Sequence, residues 1–512
     1  MTARRGNATS ESPSPRFDAL NDVHNVQKRR PSPDDAPSPA VCVDPSTSRP
    51  YEIDLGHAPE FRDTAFRDTG FRDTGFRDTG FRDWSLSKRL AHRGTVFGIE
   101  PTPPLSITAP RYLRELRDHL RAEEPELWRW FTESTEKADE ADNTGAEVEL
   151  LKSAIRLTGG PHSATAAEAS LLAARLGLGD EIDVHQSLDD QTRNARVQLF
   201  GGKIHIVFSG DLLELLDDRE VRVVLLHELA HVALWRIDEG DFRVLDAMIH
   251  RLADESNAPE VAESARRVRL HTEVWADRIA RTVLDDLPSV VATLIKTGSG
   301  LRHVDPDAYL RQAERILAED SATSTALTHP EHHIRVACLA LPIDGPTTDD
   351  QIERLVNGPD DLDRIDLLGQ LRLQQLVDAV LSGGVRAIGA AASRSGIAAY
   401  LGNYRGRFAT VAGAATGADR STSAFVAGAE LRTPPADGEL AEAEPSVRHM
   451  AGALLVDLAL TDDSLAGLTE LRLLSREADR IGVATEFDKI LSRATDRTVG
   501  EARKLRELQD SR

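Results

Sequence analysis

A chain of 512 residues with 40% hydrophobic composition is long enough to build two or three domains around a sizeable core. Its formal net charge of -22 at pH 7 repels phosphate over most of the surface, which argues against nucleic acid or anionic lipid and leaves room for basic substrates or partners. Cys42 and Cys338 make no disulfide framework, and residues 1–10 carry basic side chains with no apolar run behind them, so a cytoplasmic protein without a secretory signal is expected.

Residues 1–105 read as a disordered tail. Clusters such as Pro31-Ser32-Pro33 and Pro37-Ser38-Pro39 bury too little apolar surface to fold. Within the tail, residues 61–84 repeat Phe-Arg-Asp-Thr-Gly with period five, from Phe61 to the Phe81-Arg-Asp-Trp variant. That period fits neither helix nor strand, and five units are too few for a solenoid, so a low-complexity tract is expected. The alternative is a set of phenylalanine anchors for a protein partner or for the chain's own groove.

Folded structure is expected over residues 106–345 as an α+β, mostly helical domain. Apolar spacing predicts helices near residues 111–120 and 127–131, with Trp128, Trp130 and Phe131 in the core. A helix at 165–177 and short strands within 182–208 follow, the strands forming a small sheet. Asp217 with Glu220 three residues later reads as a capping box that opens the next helix.

That helix carries His227-Glu228-Leu229-Ala230-His231, an H-E-x-x-H motif. His227 and His231 lie four residues apart on one face and can point at one zinc ion, while Glu228 can reach a water activated by the metal as general base. Two partly buried histidines on an ordinary amphipathic helix would carry the same letters, so the later segments decide. Helices are expected over 241–254 and 258–286, and in the second Glu273 and Asp277 share a face. Glu273 can be the third ligand, and Asp277 can accept the free ring N–H of a zinc-bound histidine. Helices over 306–318 and 330–341 complete the domain. Ahead of the last, His329 is read as a donor to the oxyanion of the reaction and Arg335 as an ion-pair anchor, whereas His332 and His333 are read as surface residues.

Residues 346–362 have linker composition. Residues 363–512 read as a helical accessory or oligomerisation domain with no chemical motif, a further surface for a protein partner. Its most apolar stretch, 385–415, contains Arg386, Arg394, Arg405 and Arg407, which excludes a membrane span and suggests a small-residue hairpin. Residues 415–446 read as a long loop.

Several ordered motifs resemble the HtpX-like and CAAX prenyl endopeptidase group of gluzincin metallopeptidases over roughly residues 106–345. They are Asn194-Ala195, the Gly201-Gly202 turn, the strand at 203–209, the Ser-Gly-x-Leu-Leu-x-Leu-Leu segment at 209–216, HELAH, Glu273-Val-Trp-Ala-Asp277, Asp305-Pro306 and Thr328-His-Pro with Arg335. The resemblance implies one zinc ion per chain held by His227, His231 and Glu273, with Glu228 as catalytic base. It also implies that His329 polarises the substrate and that Asn194 and Ala195 hold the substrate chain. Members of the group commonly carry transmembrane helices, which this sequence lacks. A zinc-dependent endopeptidase with a zincin-like metalloprotease domain over residues 106–345 is thus expected. An ImmA/IrrE-like regulatory protease and a non-catalytic, zinc-stabilised interaction protein are the alternatives.

Overall fold

The computed structural model describes residues 105–500 apart from 141–143, 159–161, 163, 320–322, 344, 390–391, 393–396, 398–399, 402–431, 462–467, 496–497 and 499. The tail through residue 104 with its pentad repeats, most of the 385–415 stretch, and residues 415–431 of the expected loop lie outside the described residues. The described chain is mostly helical with one small sheet, and among the described residues no helix is long and apolar enough to cross a membrane.

Helices α1 (Arg111–Glu123), α2 (Pro125–Glu140) and α3 (Thr144–Ser153) lead into a three-residue strand β1 (Ala154–Arg156). On α2 the buried side chains are Trp128 and Phe131, whereas Trp130 is 42% exposed, against expectation. The i, i+3 pair faces the core, and Trp130 falls off that stripe. After α4 (Thr165–Arg175) come β2 (Glu181–Ser187), β3 (Asn194–Phe200) and β4 (Lys203–Ser209). The sheet order is β1-β2-β4-β3, with β2 and β4 parallel and the other pairs antiparallel, which leaves β3 at an edge. Gly201 and Gly202 both have positive φ, +60° and +69°, the backbone that a two-residue hairpin turn requires between β3 and β4.

Alternation gives the sheet two faces. Ile182, Val184, Ala195, Val197, Ile204, Ile206 and Phe208 enter the main core, whereas Phe200 and Val207 pack with Leu150 and Ala154 in a small separate cluster. A short helix α5 (Leu212–Leu215) leads to α6 (Asp218–Arg236), the helix that carries the H-E-x-x-H motif. The capping box forms in full: the Asp217 carboxylate accepts from the Arg219 and Glu220 amides, and Glu220 accepts from the Asp217 amide. Lys296 then pairs with Glu220 at 2.7 Å. Helix α6 is buried almost throughout, between the sheet, α4 and three later helices: α7 (Asp241–Glu255), α8 (Pro259–Leu284) and α9 (Leu287–Ser299). Only a central helix buried on all sides can afford so continuous an apolar run.

Beyond α10 (Pro306–Glu319) and α11 (His332–Ala340), residues 346–362 do not form the expected structureless linker, because α12 (Pro346–Val356) occupies most of them. Arg111 on α1 clamps α12 through Asp350 and Glu353, both at 2.7 Å. The C-terminal helices α13 (Leu367–Ile388), α14 (Pro445–Leu460), α15 (Leu468–Ile481) and α16 (Ala484–Ala494) build a second core around Val380, Leu381, Leu455, Leu474 and Phe487. The start of α13 is locked to α8: buried Asp366 caps the Gly369 amide, accepts from Tyr112 Oη at 2.7 Å and pairs with Arg267 at 2.9 Å.

Candidate metal centre

Helices α6 and α8 pack side by side, and their facing residues bring three donors together. His227 Nε2 lies 3.2 Å from His231 Nε2 and 3.2 Å from Glu273 Oε2, and His231 Nε2 lies 3.5 Å from Glu273 Oε1. Donors about 2.0–2.1 Å from a tetrahedral zinc ion stand about 3.3 Å apart, so His227, His231 and Glu273 fit such an ion without rearrangement. Glu228 is fully buried beside them, and neither of its carboxylate oxygens has a hydrogen-bond partner among the described residues. An isolated buried carboxylate is costly, so its retention calls for a cation or polar ligand in that space.

The surrounding shell fixes the ligands. Asp277, one turn after Glu273, accepts from His227 Nδ1 at 3.0 Å and leaves Nε2 to face the other donors. Its carboxylate is held in turn by Arg335 on α11, whose Nε and Nη2 each donate at 2.7 Å. His329, on the segment before α11, places Nε2 3.4 Å from Glu273 Oε2, so the Thr-His-Pro segment does reach the centre. Asn194 and Ala195 sit at the start of edge strand β3, which packs on α6; Ala195 is fully buried in the core, so its side chain is not available to a substrate. His332 departs from the surface placement expected of it. Half-buried, it lines a partly open pocket with Val224, His227, Asp277 and Arg335, and burial pushes its pKa down to about 4. Its position three residues before Arg335 on one helix face was the available signal.

The electrostatics divide the cluster. Burial alone would raise the Glu273 carboxyl, but His329, His227 and His231 offset this and hold it well below the usual carboxylate range. Burial also lowers His227, yet Glu273 and Asp277 prevail and raise it to about 10, whereas burial takes His231 down to about 3. Glu228 is pushed up to about 8, mainly by burial.

Two outcomes follow for the centre. Asp277→Asn keeps the shape but weakens the acceptor for His227 and the partner for Arg335; zinc affinity should fall by roughly 10–100-fold in a chelator competition titration. The second concerns pH. The folded-state pKa of Glu228, about 8, lies above its ordinary 4.5, so its stabilising neutral form is complete below pH 4.5 and is lost as pH rises through 8. In the chelated protein, Glu228→Gln should therefore raise stability at pH 8 by on the order of 3 kcal/mol and hardly at all at pH 4.5. Equal thermal shifts at both pH values would contradict this origin.

Comparison of the chain with family models, with curated proteins and with solved structures found no match.

Proposed function

We propose that the chain is a zinc-dependent endopeptidase of the gluzincin type, resembling the HtpX-like and CAAX prenyl endopeptidase group. The observation that carries this reading is the set of three donors at tetrahedral spacing with an unpartnered, buried Glu228 next to them. A bound zinc ion would supply Lewis acidity, acidifying water and polarising the scissile carbonyl. Glu228 accepts the proton of the attacking water and returns it to the leaving amine, the general-base task of a carboxylate beside the metal-bound water. His329 donates to the carbonyl oxygen as it gains negative charge, and the Asp277–Arg335 pair keeps His227 oriented. A peptide can add as a strand along β3, whose outer edge has no neighbour in the sheet. The approach of His329 to Glu273 favours this reading over an ImmA/IrrE-like protease, in which the Thr-His-Pro segment has no assigned place.

The test is metal content together with hydrolysis of an unfolded substrate such as casein, before and after chelation. Cleavage that disappears with the metal and returns with zinc is the expected result. A chain that holds zinc and cuts no unfolded protein at any concentration refutes the hydrolytic reading and leaves the zinc-stabilised interaction protein.

A further inference from the structure

The outer face of the sheet holds a second set of metal-type donors, which the proposed hydrolysis does not use. Asp183 and His185 are two residues apart on β2 and so leave the same face, and the parallel register sets Asp183 opposite His205 on β4. Ile182, Val184, Ile204 and Ile206, which alternate with them, point the other way into the main core beneath α6. His185 and His205 are both buried, and His185 Nε2 lies 3.2 Å from His205 Nδ1. One donor atom from each of the three residues can be chosen so that all lie within 4.8 Å of one another.

A hydrogen-bonded pair of neutral histidines would account for the two facing nitrogens alone. It leaves the buried Asp183 Oδ2 with no hydrogen-bond partner among the described residues. Arg156 and Lys203 approach Asp183 Oδ2 at 3.5 and 3.7 Å, but each has a nearer carboxylate: Glu147 at 2.6 Å for Arg156 and Glu181 at 2.7 Å for Lys203. The Asp183 carboxylate therefore remains available. Burial and the neighbouring ring hold His185 down at about 4, and burial lowers His205, so both imidazoles are neutral at pH 7 and can offer lone pairs. The His205 ring is already oriented, stacked on Phe200 with centroids 4.0 Å apart.

We propose that Asp183, His185 and His205 bind a second divalent transition-metal ion, which clips β2 to β4 on the sheet face turned away from the hydrolytic centre. The 3.2 Å spacing of the ring nitrogens matches the separation of about 3.3 Å between donors of a tetrahedral ion. Two imidazoles and one carboxylate select zinc, cobalt or nickel over magnesium and calcium, which take oxygen donors. Because β4 also pairs with β3, the clip braces the strand that ends the sheet.

The probe is Zn2+ alone, with the metal-stripped full chain dialysed against it and metal counted per chain by mass spectrometry. Wild type is expected to hold two equivalents, and His185→Gln, Asp183→Asn and His231→Gln one each. Half-buried Asp183 gives the milder variant should His185→Gln lose its fold, which circular dichroism reports. Zinc is also expected to raise the melting temperature of His231→Gln but not of the Asp183→Asn/His231→Gln double variant. Equal stoichiometry in wild type and Asp183→Asn overturns the proposal, as does a wild type whose single equivalent vanishes in His231→Gln. If instead His231→Gln keeps the full wild-type count while Asp183→Asn loses metal, this site stands and it is the hydrolytic centre that fails.

Discussion

Replacing Glu228 with glutamine is expected to leave zinc bound at the wild-type level and to lower casein hydrolysis by about 10²–10⁴-fold. The two side chains have nearly the same shape, and Glu228 forms no hydrogen bond within the chain that the amide would break. His227, His231 and Glu273 keep their spacing, so metal content does not change. What is lost, on the proposed mechanism, is the group that takes a proton from water and hands it to the leaving amine. The check is metal analysis beside initial rates on one preparation of each protein. A variant that retains most of its activity would remove Glu228 from the reaction, whatever else holds.

Arg335→Met is expected to cost about 3–5 kcal/mol of stability, the range found when one member of a buried ion pair is removed and the other stays. Arg335 is 3% exposed and bonds Asp277 with two nitrogens at 2.7 Å. Without it the Asp277 carboxylate keeps only His227 as a close partner among the described residues, and α11 loses one of its polar links to α8, Arg278 still donating to the Cys338 carbonyl. The fall in melting temperature should be on the order of 10 °C for a domain of this size. The double variant Arg335→Met/Asp277→Leu should recover much of that loss while binding zinc poorly, because no buried charge is left unpaired. A single variant that melts within a degree of wild type would show that solvent or another residue compensates Asp277.

What could be read in the sequence was mostly local. Asp217 and Glu220 act across three residues, so their capping box needs no knowledge of the tertiary fold, and it forms as the pattern dictates. His227, His231, Glu273 and Asp277 were legible for the same reason, each pair being one helical turn apart on its own helix. Where the pattern misled, a long-range partner decided. Pro346 and the acids after it look like linker residues, yet proline in the first turn with Asp349 behind it also opens a helix, and the ion pairs from Arg111 hold it. Strand β1 is only Ala154–Arg156 and exists by pairing with β2, a contact across about thirty positions that no local propensity signals. His332 reads as a surface residue because its one local signal, the spacing to Arg335, does not reveal the pocket that α6 and α8 form beside it.

The junction at Asp366 has a consequence for how the protein is made. Arg267 lies on α8, two turns before Glu273, and is 2% exposed; Asp366, one of its two carboxylate partners, lies 99 residues further along the chain. Glu263, the other, is on the same helix and meets it with one oxygen at 2.9 Å. During synthesis α8 therefore emerges with a guanidinium whose burial is only half neutralised, until the start of α13 has left the ribosome and closed over it. A nascent chain halted before residue 366 carries His227, His231 and Glu273 and still lacks the contact between Arg267 and Asp366. The helix that carries Glu273 and the start of the helical region beyond it thus share one buried ion pair.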